Sequence, residues 1–521
     1  MEQSTTKRPL NAKRIGIIIG AVVAVGAIVL LIILLFKGGI GGKDVSVFDS
    51  DSFFLAENDN SDAKYAVFNN KGDRLTDFIY KDVDEFVNGY SLVENADGKY
   101  MIIDSKGNTS VDLGDSYVNS RAGFYFVDHD NKDAIILGDG TELSDDAKDY
   151  AYDYNTPFIV IGTGDDEYEL YNVRGKSVLN FHSKEDPEFS SYDRRTASVL
   201  KTDDAVYILD NIKLEVAGTF ETSDSYKIED ATKDKKTFVL RTGEYGSYKF
   251  AVFENGKFKE FGDRCKDIDI EENEESGQKY LECEGEDDTT LIRGGEVTDF
   301  KTSGYGERYY VYDENHYANY RSDDNQLDIY VDGNKTDTVD CDYSPSLDYA
   351  GYSVRGKDNV TLYGIDGKKI YSLTGTNSGE LSGLDVNENI IVRNGKEDYT
   401  SRYTLVNKSG ETISSKYYSI ASRGDYYSAR IYNSDTYDLL DKSGTAILSG
   451  YKGYEVTSDK KIIVARDNDD KYHLVDVANK TVTTEFSERP NYYEDQYLRV
   501  AGDDKVSYYT IEGKLFYEYN K

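Results

Sequence analysis

A short pattern recurs from residue 64 to the C-terminus, and this recurrence constrains the fold more than any other feature of the chain. It consists of an alternating strand, a tight turn and a second strand, as in KYAVFNNKGDRL from Lys64. Other copies are KYMIIDSKGNTSV from Lys99, EYELYNVRGKSVL from Glu167, RYTLVNKSGETI from Arg402, TYDLLDKSGTAIL from Thr436, KYHLVDVANKTV from Lys471 and SYYTIEGKLF from Ser507. A repeated strand, turn and strand predicts similar β-units that bury their faces against one another.

Glycine holds the turn position in nearly every copy, because a tight hairpin turn needs a positive φ angle that most other residues adopt only at a steric cost. The position can be followed through Gly72, Gly107, Gly140, Gly175, a degenerate copy at Lys213, Gly256, Gly295, Gly333, Gly367, Gly410, Gly444, Asn479 and Gly513. These thirteen positions run from residue 72 to residue 513, or about 37 residues per unit. Each unit also has an apolar strand, such as residues 158–161 or 237–240, so three to four strands per unit are predicted.

A unit of this size matches a propeller blade, and one blade cannot bury its own faces. Rings usually hold 4 to 8 blades, so thirteen units predict two β-propellers, at residues 44–304 and 305–521. The stretch at residues 45–48 is predicted to complete the last blade of a ring. An open β-solenoid is the alternative, because the sequence does not show how the ends of the array meet.

Composition supports an all-β fold and excludes some partners. The 47 tyrosines, 21 phenylalanines and only 5 prolines favour pleated, half-buried surfaces. The 97 acidic and 61 basic residues give a formal charge of -36, which disfavours nucleic acid and a polybasic grip on anionic lipid.

The N-terminal region predicts a membrane anchor. Residues 15–36 contain no charged or polar side chain and are long enough to span a hydrocarbon core of about 30 Å as a helix. Basic residues dominate the tail at residues 1–14, and residues 37–43 form a glycine-rich linker. The positive-inside rule then predicts an uncleaved signal anchor in the plasma membrane, with a cytoplasmic N-terminus and residues 43–521 outside. Gly16 and Gly20 form a GxxxG motif, which is common in membrane helices and also occurs where helices pair.

Residues 63–108 resemble the WG-repeat family of bacterial β-repeat proteins. They contain the KY entry, the KG turn, a middle Y-x-x-V at residues 80–83, an F-x-x-G at residues 86–89 and the next KY. The chain has no tryptophan, and Tyr-Ala, Tyr-Met or Tyr-Leu replaces the usual aromatic-Gly pair, so it resembles a diverged relative. The resemblance implies a repeat β fold and an interaction role, and it carries over no catalytic residue.

Few residues suggest a catalytic or metal-binding site. No G-x-S-x-G, H-E-x-x-H, P-loop or G-x-G-x-x-G motif is present, and the four histidines, His129, His182, His316 and His473, each lie in a different unit. Two acidic turns contain clustered carboxylates that Ca²⁺ could use, at Asp128, Asp130 and Asp133 and at Asp467, Asp469 and Asp470, but neither fits an EF-hand loop. They are also typical of solvated turns.

Tyrosines and cysteines leave further alternatives open. The runs Tyr426-Tyr427 and Tyr309-Tyr310-Val-Tyr312 fit strand packing, and they also fit a sugar-binding or protein-binding surface. Cys265 and Cys283 flank an acidic hairpin and are either a disulfide formed outside the cell or buried thiols, and Cys341 is the third cysteine.

The sequence therefore favours a non-enzymatic binding or scaffold module, anchored in the membrane and presenting acidic β-propellers outside it. Its expected partners are a protein or a cell-envelope glycan, together with the membrane through residues 15–36. No catalytic, cofactor-binding or metal-ligating residue is assigned. Two alternatives are an envelope hydrolase with carboxylates at a propeller channel and a sensor subunit that signals through a partner of its short tail.

Overall fold

The structure of the chain is a computed structural model. It describes residues 46–129, 132–145, 149–193, 196–232, 236–244, 247–254, 256–262, 264–272, 278–286, 288–302, 307–348, 351–357, 359–374, 381–385, 387–394, 402–423, 426–456, 462–476, 479, 481–493 and 496–521. Among the residues in these ranges, no helix has the length and hydropathy needed to cross a bilayer. The predicted tail, anchor and linker at residues 1–43 lie outside the described residues.

The described chain consists of antiparallel sheets that follow one another in sequence order. The first sheet has six strands, β1 (Ser52–Ala56), β2 (Tyr65–Asn69), β3 (Tyr80–Val83), β4 (Tyr90–Asn95), β5 (Tyr100–Asp104) and β6 (Thr109–Gly114). It holds two repeat units, which are joined by the pairing of Tyr65 with Tyr80.

Seven four-stranded sheets come next along the chain. They are β7 (Tyr117–Arg121), β8 (Phe124–His129), β9 (Lys132–Leu137) and β10 (Glu142–Ser144); β11 (Tyr150–Tyr152), β12 (Phe158–Gly164), β13 (Glu167–Asn172) and β14 (Ser177–His182); β15 (Glu188–Asp193), β16 (Ala197–Lys201), β17 (Ala205–Asp210) and β18 (Glu215–Glu221); β19 (Lys227–Ala231), β20 (Thr237–Thr242), β21 (Lys249–Glu254) and β22 (Lys257–Gly262); β23 (Asp267–Glu272), β24 (Lys279–Glu284), β25 (Thr289–Arg293) and β26 (Glu296–Lys301); β27 (Glu307–Asp313), β28 (His316–Arg321), β29 (Gln326–Val331) and β30 (Asn334–Asp340); and β31 (Ser346–Asp348), β32 (Gly351–Arg355), β33 (Asn359–Gly364) and β34 (Lys369–Thr374).

Four more sheets complete the chain, and the first of them has three strands. They are β35 (Leu381–Leu384), β36 (Asn389–Asn394) and β37 (Arg402–Asn407); β38 (Ser419–Ser422), β39 (Tyr426–Arg430), β40 (Tyr437–Asp441) and β41 (Ala446–Tyr451); β42 (Gly453–Val456), β43 (Ile462–Arg466), β44 (Tyr472–Asp476) and β45 (Thr481–Phe486); and β46 (Asn491–Tyr493), β47 (Tyr497–Ala501), β48 (Lys505–Thr510) and β49 (Leu515–Asn520). These eleven separate sheets, with the two units of the first sheet, account for all thirteen predicted turn positions. We number the units 1 to 13 in chain order.

Backbone angles confirm eleven of the thirteen predicted turn positions. All eleven glycines named above have positive φ angles, between 74° at Gly175 and 88° at Gly513. In the degenerate unit the positive angle falls on Leu214, at 60°, rather than on Lys213. Leu214 is buried in the core, so its apolar contacts offset part of the cost of an unfavourable backbone.

Burial differs between the strands of a unit in a regular way. The second strand is apolar and buried on both faces, as in β12, where Phe158, Ile159 and Val160 are fully enclosed. The fourth strand alternates between exposed and half-buried residues, as β18 does along its whole length. First strands of successive sheets contact one another, for example β11 with β15 and β15 with β19. The first strands therefore lie near the centre and the fourth strands at the outside, which is the arrangement of a β-propeller.

Ten of the eleven turn glycines show how a unit packs on the one before it. A Cβ atom at Gly107 would meet Thr76 of unit 1, and one at Gly410 would meet Tyr371 of unit 9. The same contact joins the two ends of the described array, because a Cβ atom at Gly72 of unit 1 would meet Phe516 of unit 13. Residues 47–521 form one compact unit.

The repeats therefore form a single ring, and the predictions of two propellers and of an open solenoid are wrong. The predicted boundary between residues 304 and 305 does not separate two rings, since β24 contacts β27 across it. The apolar clusters lie between successive units around the ring, including one between units 13 and 1. Small units of this kind can close into one ring because each needs only its two neighbours to bury both faces.

The start of the ring also differs from the prediction. Val47 and Phe48 do not complete the last blade; they are buried in a core cluster with Val87, Val173 and Leu214 of units 2, 4 and 5. The carbonyl oxygen of Val47 accepts a hydrogen bond from the backbone N–H of Asn88, at 2.6 Å.

Of the two alternatives for Cys265 and Cys283, a disulfide or two buried thiols, the structure has the disulfide. Cys265 and Cys283 are bonded, with 5.2 Å between their Cα atoms, and the bond ties the segment before β23 to β24. Cys341 is a buried free thiol, and burial raises its pKa to about 11.

Candidate binding surface

A row of aromatic side chains runs along the innermost strand of unit 4. Tyr150 and Tyr152 lie on the same side of β11, since side chains two apart share a face of a strand, and Tyr154 follows in the next turn. Ring centroids are 5.9 Å apart between Tyr150 and Tyr152 and 5.8 Å apart between Tyr152 and Tyr154. Phe126 of unit 3 packs against both Tyr150 and Tyr152, at 5.2 and 5.3 Å. We call these four residues the aromatic ladder.

A cation lies at one end of the aromatic ladder. The guanidinium carbon of Arg121 is 4.3 Å from the centroid of Tyr154, and the Nη1 atom donates a hydrogen bond to the carbonyl of Ser120. Tyr154 is 60% exposed, so much of its ring is open to solvent beside the cation. An aromatic ring held by a cation in this way keeps a fixed orientation for a ligand.

A cavity of about 470 Å³ adjoins the other end of the aromatic ladder. It is formed where β11, β15 and β19, the inner strands of units 4 to 6, lie side by side. Tyr150, Tyr152, Phe189 and Tyr226 supply its aromatic surface, and the Tyr226 hydroxyl is fixed by a hydrogen bond of 2.9 Å to Glu260. The polar side chains that line it include Glu188, Lys201 and Lys227. Aromatic faces with a few charged groups suit a glycan or a peptide, which both present apolar and polar edges.

The tyrosine runs noted in the sequence have a packing role. Tyr426 and Tyr427 are 8% and 0% exposed, and the Tyr427 hydroxyl bonds to the carboxylate of Asp385 at 2.5 Å. Tyr309 packs edge-on against Phe300, and the Tyr310 hydroxyl donates to the carbonyl of Pro345 at 2.6 Å. These side chains join neighbouring units rather than forming a surface.

The histidines are placed apart from one another. His182, His316 and His473 each pair with a different carboxylate, at Glu167, Asp313 and Asp467, with N–O distances of 3.4, 3.0 and 2.7 Å. His129 ends β8, and its side chain is outside the described set. Among the described residues, no group of three or more His, Cys, Asp or Glu side chains is arranged to hold a metal ion.

The carboxylates in the acidic turn of unit 12 bond to the backbone of the turn and to neighbouring side chains. Asp467 Oδ1 accepts the backbone N–H groups of Asp469 and Lys471, at 2.8 and 3.0 Å, and its hydrogen bond with His473 is the main cause that lowers its pKa. Asp470 accepts from Lys452 and Arg466. In unit 3, Asp128 and Asp133 are backbone partners across the β8–β9 hairpin, and Asp130 lies outside the described residues. In unit 12, Asp467 therefore caps the turn, while Asp470 forms ion pairs beside it.

One pair of carboxylates lies near the ring centre in unit 7. Asp269 on the inner strand β23 is the direct cross-strand partner of Glu282 on β24. Burial first, and then the carboxylate of Asp267, raises the pKa of Asp269; burial also raises the pKa of Glu282. A pair of carboxyl groups with raised pKa values is the arrangement that acid–base catalysis uses, although like charges in any crowded strand pair have the same effect.

Sequence reasoning missed the aromatic ladder, although its pattern is visible. The segment Tyr150-Ala-Tyr-Asp-Tyr154 alternates with the period of a strand, so its three tyrosines belong on one face. What the pattern lacks is the position of β11 in the ring, because the same alternation on a fourth strand would face the outside.

Comparisons with known proteins do not assign this chain to a family. No protein-family model matches it, and no curated protein sequence matches it. Similar solved structures include a eukaryotic initiation factor, with 12% identity, 70% of this chain and 96% of that chain covered, and a TM-score of 0.30. The computationally designed Ika8 protein also matches, with 12% identity, 64% and 95% of the two chains covered, and a TM-score of 0.18.

Proposed function

We propose that this protein is a membrane-anchored, extracytoplasmic binding or scaffold module that holds a protein or cell-envelope glycan at the aromatic ladder. The observation that carries the proposal is the partly exposed ladder beside a cavity of about 470 Å³ on the inner strands of units 4 to 6. Inner strands of a ring are held by neighbours on both sides, so a surface built on them is rigid. Rigid aromatic surfaces bind with little loss of side-chain entropy.

The placement outside the cytoplasm has one support in the ring itself. The Cys265–Cys283 bond is of a kind that forms and persists in oxidising compartments and is rare in the cytosol. The uncharged stretch at residues 15–36 remains the proposed single-pass anchor, with the N-terminus in the cytoplasm.

The test is a binding experiment with matched variants. Immobilised residues 44–521 are incubated with solubilised envelope proteins and with envelope glycans, with and without calcium. We expect a retained ligand, and we expect Tyr154→Ala to reduce its retention at least tenfold, because the exposed ring stacks on it. Tyr343→Ala is the control, since Tyr343 is similarly exposed, at 56%, in the connection before β31. Equal loss in both variants, or no retained ligand, would contradict the proposal.

A second candidate function rests on Asp269 and Glu282. An envelope hydrolase would use one of these carboxyl groups as acid and the other as base or nucleophile. Hydrolysis of envelope glycans by the ring, abolished by Asp269→Asn and by Glu282→Gln, would favour this reading. We expect no hydrolysis, and we expect Glu282→Gln to be neutral or slightly stabilising at pH 7. When folding raises the pKa of a carboxyl group, the free energy of unfolding falls as pH rises above the pKa of the unfolded state. The amide does not ionise, so the variant avoids that loss.

A further inference from the structure

The innermost strand distinguishes unit 1 from the other twelve units. In unit 1, β1 is the second strand and β2 the third, since β2 carries the Lys64-Tyr65 entry before the turn at Gly72. In units 2 to 13 a further strand pairs with the second strand on its inner side, as β3 does with β4. Among the described residues, no strand pairs with this side of β1. We call this side of β1 the free edge.

Backbone hydrogen-bonding groups of β1 point to the free edge. Glu57 donates its backbone N–H to the carbonyl of Lys64 at 2.8 Å, so these two residues form a bonded pair with the β2 side. Bonded and non-bonded pairs alternate along an antiparallel ladder, so the N–H and C=O groups of Phe54 and Ala56 point away from β2. Both residues are half-buried and within reach of a ligand. Unpaired backbone groups on a strand edge are a template for a further strand.

Aromatic side chains line both faces of β1 beside the free edge. On one face Phe54 stacks on Phe86 of unit 2, with ring centroids 4.8 Å apart. On the other face Phe53 packs against Tyr497 of unit 13, at 5.0 Å, and Tyr497 stacks on Tyr493 at 5.1 Å. Tyr493 ends the innermost strand of unit 13 and is 39% exposed. A strand added at the free edge would therefore find aromatic surface for the side chains of both its faces.

The innermost strands of other units show which side chains suit this position. Four of these strands carry a large apolar residue that packs into a cluster between units, at Ile228 of β19, Ile268 of β23, Ile420 of β38 and Tyr454 of β42. We therefore expect a strand at the free edge to carry a large aliphatic or aromatic side chain near its centre.

Carboxylates lie at both ends of the free edge. Asp51 precedes β1 and Glu57 follows it, and both residues are exposed. The side chain of Asp51 accepts a hydrogen bond from the neutral amide of Asn70, at 3.2 Å. At about 3.3 Å per residue the two carboxylates are about 20 Å apart along the strand, which a peptide of about seven residues spans. The formal charge of -36 also favours the approach of a cationic ligand.

We propose that the free edge binds an extended, cationic peptide segment of a partner protein, which pairs with β1 as the innermost strand of unit 1. The pairing is antiparallel, as it is between the first two strands of the other units. Backbone hydrogen bonds to Phe54 and Ala56 hold the peptide, a central apolar side chain packs on the aromatic surface, and basic side chains at its ends pair with Asp51 and Glu57. The free edge lies apart from the aromatic ladder of units 3 and 4, so this inference does not depend on the function proposed above.

Binding of a defined peptide to the full chain tests the site. The probe is a fluorescein-labelled peptide, Lys-Thr-Ser-Ile-Ser-Thr-Lys-amide, and its anisotropy is measured with residues 1–521 in detergent micelles. Two matched probes carry backbone N-methyl groups at the second and fourth or at the third and fifth peptide residues. Because alternate residues of a strand direct their N–H groups to opposite edges, we expect one methylated probe to lose about tenfold in affinity and the other to bind nearly as the parent does.

Variants of the chain separate the charge contribution from the backbone contribution. We expect Asp51→Asn with Glu57→Gln to weaken binding about threefold, and this loss to vanish in about 0.5 M salt. Asp165→Asn with Asp323→Asn is the control, since these exposed carboxylates lie in turns of units 4 and 8, and we expect it to have no effect. Ala56→Pro removes one N–H from the free edge and none from the pairing with β2, so we expect a loss of about tenfold.

Several results would overturn the proposal. Absence of binding would do so, and so would equal loss with both methylated probes, since an edge pairing distinguishes them. An equal effect of the control variant would show that attraction to the whole ring suffices. Binding that occurs only after removal of residues 1–45, or self-association of the chain in place of peptide binding, would assign the free edge to the chain's own segment or to a second copy.

Discussion

Two kinds of contact hold the ring together, and they differ in composition. Units 11 and 12 meet through a mainly aliphatic cluster that includes Leu439, Leu448 and Ile463, and a single residue, Lys452, links their strands. Units 13 and 1 have no such link. Their contact, the seam, contains eight aromatic side chains, Phe53, Phe68, Phe78, Tyr497, Tyr508, Phe516, Tyr517 and Tyr519.

The difference follows from chain connectivity. A short link keeps neighbouring units at a high effective concentration, so an ordinary apolar contact is enough to hold them. The seam joins residues such as Asp59 and Arg499, which are 440 positions apart, and must offset a larger loss of chain entropy. Dense aromatic packing supplies more buried area per residue.

The largest expected effect is the loss of a buried ring at the seam. Phe68 and Phe250 are both 1% exposed, the first at the seam and the second between units 6 and 7. Either change to Ala should cost about 3–5 kcal/mol. Only Phe68→Ala should open the ring, so limited proteolysis should release unit 13 from that variant first. Release from Phe250→Ala at the same rate would show that the seam is not special.

The disulfide lies inside a continuous part of the chain and not at the seam. It therefore strengthens a contact of the first kind, between units that are linked along the chain. Cys265 and Cys283 are 18 positions apart, a loop for which cross-linking contributes about 3 kcal/mol. We expect reduction, or the Cys265→Ser and Cys283→Ser double variant, to lower thermal stability while the seam stays closed. Seam-specific proteolysis after reduction would contradict this separation.

A glycine at the seam gives a smaller and sharper test. Gly72 and Gly256 have similar φ angles, 78° and 75°, but a Cβ at Gly72 would meet Phe516, while no atom lies within 4 Å at Gly256. Val at either position costs about 1–2 kcal/mol for the backbone. At Gly72 we expect a further loss of about 1–3 kcal/mol from overpacking, measured by denaturant unfolding. Equal losses would mean that unit 13 does not pack on unit 1.

The ion pair at the seam should matter least. Arg499 and Asp59 are 2.8 Å apart, but Asp59 is 58% exposed, and such pairs contribute less than about 1 kcal/mol. We expect Asp59→Asn to change stability by less than this, with a smaller difference at high salt. A loss comparable to that of Phe68→Ala would contradict the view that aromatic packing closes the ring.

Much of this fold is readable from the sequence, because its repeat is local. Alternation and turn glycines predicted the strands around Gly107, Gly410 and the other turn positions, and even the degenerate unit near Lys213 was located. Closure of the whole array into one ring was not predicted, since the contact of Gly72 with Phe516 leaves no periodic trace in either segment. A usual upper limit of about 8 blades then led to two rings instead of one.

The candidate binding surface was partly readable for a related reason. Tyrosine alternation from Tyr150 to Tyr154 is a local pattern, but exposure depends on which strand faces the centre. The same residue type at Tyr427 is fully buried, and only the ring separates the two cases. The membrane anchor at residues 15–36 stays a prediction from composition and length.

Single-particle electron microscopy of residues 44–521 tests the central claim, a single closed ring, most directly. Class averages viewed along the axis should show one ring of small units around one opening, with no gap between the first and last units. Two smaller discs joined near residues 304 and 305, or an open arc, would contradict the account.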